Sequence, residues 1–173
     1  MIKHGSWIKP GPWRPFLLKA TLLTATLAFS LDYVAKRYRL GIDWQVERCL
    51  PDTHAVLIDL RSDIPSRGGL IAFRGQGLEP LFIDGTHMVK ILVGLPGDHV
   101  EVTSDRTTVN DVVVATGLHL AKRLGQPSEV FARSFIVPEG HYFGVGKSDN
   151  SFDSRYFGLI RQDQIIGKAW RLG

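Results

Sequence analysis

The stretch MVKILVGLPGD (residues 88–98) sets one lysine, Lys90, inside an apolar run that ends in a turn. Strand alternation puts Lys90, Leu92 and Gly94 on one face and Val89, Ile91 and Val93 on the other. Two readings of the lysine follow. If both faces are covered, the amine is desolvated, which is how a lysine comes to act as a base near neutral pH. If the strand lies at a sheet edge, the lysine guards against addition of a further strand, and on this run alone that reading is favoured. The Gly94-Leu95-Pro96-Gly97-Asp98 turn lacks the spacing of a phosphate-binding loop.

Outward from this run the text keeps one style. From about Leu40 onward, HAVLIDL, GGLIAFR, HMVKILVGL, DHVEVTS, TTVNDVVVA, RSFIVPEG, HYFGVG and QIIGKAWRL are short and β-prone, with Gly, Pro, Asp or Asn between them. Only LHLAKRL (residues 118–124) has helical periodicity, and residues 117–127 are expected as a small lid or a surface helix. Strands at this density without intervening helices predict a mainly β, mostly antiparallel domain.

The first 39 residues differ. PFLLKATLLTATLAFSLDYVA (residues 15–35) is interrupted only by Lys19 and Asp32. Its uncharged centre, residues 20–31, would cover roughly 18 Å of a hydrocarbon layer about 30 Å thick. With Lys19 and Asp32 snorkelling to the interfaces, residues 15–35 reach the required length, and Trp7, Trp13 and Tyr33 suit the interfaces. A transmembrane anchor is therefore expected. A cleaved signal peptide fits less well, because its small-x-small site, Ala28-Phe29-Ser30, lies inside the apolar core. A buried amphipathic helix is the other alternative, although Leu17, Leu18, Leu22, Leu23 and Leu27 run nearly all round. Lys3, Lys9, Arg14 and Lys19 are matched by Lys36, Arg37, Arg39 and Arg48, so charge does not orient the span.

The formal charge of +4 is mild and reads as solubility rather than nucleic-acid binding. Cys49 is the only cysteine among 173 residues, which excludes an internal disulfide and a cysteine zinc site. The histidines have no paired ligand spacing, so no metal and no cofactor is expected. In RCLPDT (residues 48–53), Cys49 can be core filler, half of an intermolecular disulfide, a metal ligand or a nucleophile.

Two boxes narrow that choice. VKILVGLPGD resembles the lysine box of the type I signal peptidase family, and SFDSRYFG (residues 151–158) is similar to its last box, with VPEGHYFGVG just upstream. The resemblance extends from the anchor to the C-terminus and is strongest to the conjugative-transfer branch, the TraF-like pilin maturation peptidases. It implies a signal-peptidase-like antiparallel β catalytic domain with one N-terminal transmembrane helix. The expected layout is a cytoplasmic tail over residues 1–14, an anchor over 15–35 and a periplasmic β-rich peptidase domain over 36–173, at the bacterial inner membrane.

The family uses a Ser-Lys dyad, and in its transfer branch the serine stands in a Ser-x-Pro context that here reads Cys49-Leu50-Pro51. By carry-over Cys49 is the nucleophile and Lys90 its base. Ser151 would orient the amine, Asp153 and Arg155 would form a supporting ion pair, and Ser154 and Tyr156 would serve packing and the turn. A thiol is more acidic and more nucleophilic than a hydroxyl, so the exchange is chemically sound. Glu47 stands where the general family carries an oxyanion-binding hydroxyl, leaving Arg48 or a backbone NH to compensate. Arg67-Gly68-Gly69 lacks an acid that many relatives carry there.

The implied partners are a pilin-like precursor, cytoplasmic membrane lipid and conjugative transfer (type IV secretion) components, with no nucleic acid. The substrate would lie as an extended strand along a sheet edge. A catalytically inactive scaffold of the transfer apparatus is the alternative. A self-cleaving repressor would need a DNA-binding helix pair where the apolar segment stands.

Overall fold

The computed structural model describes residues 13–42, 49–50 and 53–172. Trp7, Lys3, Lys9, Glu47, Arg48 and Pro51 lie outside the described residues, as does most of the tail over 1–14. The chain divides between Arg37 and Tyr38 into two units. The first contains α1, Trp13–Arg37, a 25-residue helix long and apolar enough to cross a membrane. None of its residues is buried. Asp32 lies 2.8 Å from Lys36 one turn on, an exposed i,i+4 pair.

The second unit has, among the described residues, eleven strands: β1 Tyr38–Ile42, β2 Ala55–Asp59, β3 Leu70–Arg74, β4 His87–Gly94, β5 His99–Val102, β6 Arg106–Val109, β7 Val112–Thr116, β8 Arg133–Ile136, β9 His141–Val145, β10 Ile160–Arg161 and β11 Ile165–Leu172. One helical turn, α2 Ser154–Phe157, and two 3-10 turns, Ser128–Phe131 and Gln162–Gln164, complete it. Seven strands form one sheet in the order β1-β2-β11-β3-β4-β9-β10, and four form a second in the order β7-β6-β5-β8. Every pairing is antiparallel, in agreement with the mainly antiparallel β fold expected.

The large sheet is covered on both faces. Leu70 and Ala72 of β3 pack with Val56, Ile58 and Ala169, whereas Ile71 and Phe73 pack with Met88, Leu92, Tyr142 and Ile160. That is why β3 reads as a continuous apolar run rather than an alternating one. A third cluster joins the end of β4 to the small sheet through Val93, Val100, Val102, Val109, Val137 and Phe143. Each such side chain stabilises the fold by roughly 1.5–3 kcal/mol relative to exposure.

Three local expectations are corrected. TTVNDVVVA is a hairpin, β6 and β7, rather than one strand. Asn110 and Asp111 have φ of 48° and 65°, the left-handed pair that a two-residue turn requires and that Asn and Asp tolerate. Residues 119–125 form consecutive turns rather than a helix, with Leu118, Leu120 and Ala121 buried. Finally, β4 lies between β3 and β9, so Lys90 does not sit on an edge strand.

Candidate functional site

Lys90 projects from β4 on the face shared by Met88 and Leu92, opposite Ile71 of β3 in register. It is 2% exposed. Space for its stem comes from Gly144 of β9, where a Cβ would meet Lys90 Cβ at 3.0 Å and Ile160 Cδ1 at 3.1 Å. The amine donates to Ser151 Oγ at 3.1 Å. Among the described residues it meets no carboxylate within ion-pair distance, so a hydroxyl is the polar group that satisfies it.

Ser151 is fully buried and is delivered by the segment between β9 and α2. Its amide donates to the Ser148 carbonyl at 3.1 Å. Gly146 makes this crossing possible: a Cβ there would overlap Cβ and Oγ of Ser151 and lie 3.1 Å from the Cys49 carbonyl oxygen. Cys49 is a free, half-buried thiol. Its carbonyl accepts from the amides of Lys147, at 2.8 Å, and Ser148, at 3.2 Å. Cys49 and Lys90 line one cleft of about 1220 Å³, together with Leu50, Thr53, Leu120, Phe152 and Asn150.

Beneath Ser151 lies a buried ion pair. Asp153 Oδ1 accepts from Arg155 Nε and Oδ2 from Arg155 Nη2, both at 2.9 Å, and the two side chains are 0% and 1% exposed. Asp153 also caps α2 by accepting from the Arg155 amide, and accepts from the Gly146 amide at 2.9 Å. Arg155 Nη1 donates to the carbonyls of Thr116 and Gly117 at 3.1 and 3.0 Å. Burial pushes the guanidinium down, but the Asp153 carboxylate outweighs it and holds Arg155 above its ordinary value. Breaking such a pair from one side costs about 3–5 kcal/mol, because the other charge is stranded. Ser154 Oγ accepts from the Gly144 amide at 3.0 Å, and Tyr156 OH from the Leu120 amide at 3.1 Å. Asp153, Ser154 and Tyr156 thus pin the 151–158 segment to β9 and to the 119–125 turns.

The structure therefore bonds Lys90 to Ser151, pairs Asp153 with Arg155 in the same 151–158 segment, and places Cys49 at the cleft that Lys90 lines. Sequence reading missed three contributors. Arg67 donates to the Val93 carbonyl, and its Nη2 lies 2.9 and 2.7 Å from the two Asp98 oxygens, so the carboxylate absent after Gly68 is supplied by the turn that follows β4. Arg133 Nη2 holds the carbonyls of Ser154 and Arg155 at 2.6 and 3.0 Å. Phe152 stacks on Phe82 at 5.5 Å, joining the cleft wall to the 75–86 loop. The basic-then-acidic pattern of Arg67 and Asp98 was the signal available for the first; no local pattern marks the other two.

The family described as "Signal peptidase, peptidase S26" matches residues 14–172. Signal peptidase I of Pseudomonas aeruginosa is 31% identical over 141 residues, which cover 61% of this chain and 48% of that protein. Signal peptidase I V of Bacillus subtilis is 39% identical over 114 residues, 58% of this chain and 62% of that one. This chain spans about half the length of the curated relatives it matches. A crystal structure of a signal peptidase I from Enterococcus faecalis V583 aligns with 62% of this chain and 97% of its own at 31% identity and a TM-score of 0.40.

Proposed function

The chain belongs to the signal peptidase, peptidase S26 family, and from that premise we propose that it is a membrane-anchored endopeptidase whose dyad is Cys49 and Lys90. The observation that carries the reading is the Lys90 amine, 2% exposed on an interior strand and hydrogen-bonded to a serine, with no carboxylate beside it among the described residues. A hydrophobic residue would fill that place at lower cost, so stability does not account for the amine.

In this reading α1 anchors the protein in the bacterial inner membrane and the β-domain works in the periplasm. Cys49 Sγ attacks the scissile carbonyl as Lys90 Nζ takes the thiol proton. A thioester forms, and the C–N bond breaks as Lys90 returns that proton to the leaving amine. Water then hydrolyses the thioester to a carboxylate and restores the thiol, or the substrate's own amino terminus takes the acyl group and closes a ring. Ser151 orients the amine, and the Asp153–Arg155 pair holds Ser151 in place. The substrate is the leader of a pilin-like precursor, in the setting of conjugative transfer. The proline two places after Cys49, as in the Ser-x-Pro context, supports the transfer branch within the family.

Because Cys49 is the only thiol, its alkylation by iodoacetamide tests the dyad without a known substrate. In the full chain in detergent, Cys49 should react at neutral pH at least tenfold faster than a free cysteine peptide, and lose that advantage in Lys90→Ala and in the apolar, space-filling Lys90→Met. The same variants, with Cys49→Ala, should abolish leader cleavage of a co-expressed pilin precursor. Slow alkylation indifferent to Lys90 would overturn the dyad and favour the inactive scaffold.

A further inference from the structure

Three arginines reach the cleft from three separate parts of the domain: Arg39 from β1, Arg74 from the end of β3, and Arg123 from the turns over 119–125. All three are exposed. Among the described residues that line the cleft there is no aspartate or glutamate, and His54 and His87 also line it. Arg74 lies opposite His87 in register, so two basic side chains are adjacent across one strand pair. Among the described residues, neither the Arg39 nor the Arg74 guanidinium pairs with a carboxylate.

Resting on the peptidase reading above, we propose that the cleft selects substrates carrying aspartate or glutamate beside the scissile bond, with Arg39 and Arg74 as the specificity-determining residues. Like-signed side chains around one concave surface add their fields, which concentrates the opposite charge there and penalises basic peptides. Partners of this kind stay partly hydrated, so each arginine contributes modest affinity, on the order of two- to fivefold in binding. The effect weakens with salt, because the Debye length falls from about 10 Å at 0.1 M to about 3 Å at 1 M. Anionic lipid headgroups offer the same charge. The arginines, however, share their cleft with Cys49 and Lys90, where a resident headgroup would obstruct the substrate.

The test uses the full chain in a neutral detergent with no added lipid. Two fluorescent peptides have the same small residues at the scissile bond and differ only in glutamate or lysine at the flanking positions. Binding is read by anisotropy on Cys49→Ala and cleavage on the wild type. The acidic peptide should bind at least tenfold more tightly at low salt. That preference should shrink in 0.5 M NaCl and by a further two- to fivefold in each of Arg39→Gln and Arg74→Gln. Equal affinities with cleavage intact would overturn this inference and leave the peptidase reading standing. Charge-selective binding without cleavage by the wild type would instead overturn the peptidase reading. Arginine dependence that emerges only on phosphatidylglycerol vesicles would assign these side chains to lipid and overturn the proposal.

Discussion

Gly146 is where the arrangement is tightest. Its missing side chain lets Ser151 and the Cys49 carbonyl approach from two sides, while its amide is held by Asp153. Gly146→Ala should therefore displace Ser151 from Lys90 without touching any reacting group. Misplacement by about 1 Å is enough to cost about a hundredfold in turnover, and forcing a methyl into a packed site costs about 1–3 kcal/mol. Leader cleavage should fall by that order in a variant that still gives a folded far-ultraviolet spectrum; unchanged cleavage would mean that Ser151 does not govern the amine. This constraint was not legible beforehand. Lys90, Ser151, Asp153 and Arg155 stand out in the sequence through their residue types and boxes, whereas a glycine among eighteen carries no mark of what crosses it.

At the scale of elements, strands were legible where apolar runs were bounded by turn residues, as in LIAFR and HYFGV. The failure at 118–124 has a specific cause. A helix starting at Leu118 would use the Gly117 carbonyl as acceptor for the Ala121 amide. Arg155 takes that carbonyl, the Ala121 amide turns to the Leu118 carbonyl, and the Leu120 amide turns to Tyr156 OH. A distant arginine thus overrides local periodicity. The short β1 escaped notice because three of its five residues are exposed, so burial leaves it no alternating pattern. The small sheet offers its own test. Thr107 of β6 is 0% exposed and its hydroxyl has no partner among the described residues. An unsatisfied buried hydroxyl costs about 1–3 kcal/mol, so Thr107→Val should raise the urea midpoint by about 1 kcal/mol equivalent. A lowered midpoint would imply that the hydroxyl is satisfied in solution.

Across the whole domain, the order β1-β2-β11-β3-β4-β9-β10 joins strands far apart in the chain, and nothing local specifies it. Two pairings set the site: β4 beside β9 brings Lys90 next to Gly144, and the Arg67–Asp98 pair fastens the turn after β4 to the loop before β3. Burial pushes the Asp98 carboxyl up, but the Leu95 amide, Asn110 and Arg67 together hold it below the ordinary aspartate value. A carboxyl that binds its proton more weakly folded than unfolded stabilises above the unfolded pKa and loses that contribution as pH falls through the folded one. Asp98→Asn should accordingly be less stable than wild type at pH 7, with the gap narrowing below about pH 4; a gap independent of pH would exclude this linkage. The two sides of the proposed dyad also differ in their support. Lys90 belongs to a strand bonded on both flanks, whereas the Cys49 carbonyl rests on two amides of a loop. One jaw is fixed and the other is hung, so any gating of the pair must act through the cysteine. Hydrogen exchange at the amides of Lys147 and Ser148 would then keep time with the opening of the cleft, while that of Lys90 stayed slow.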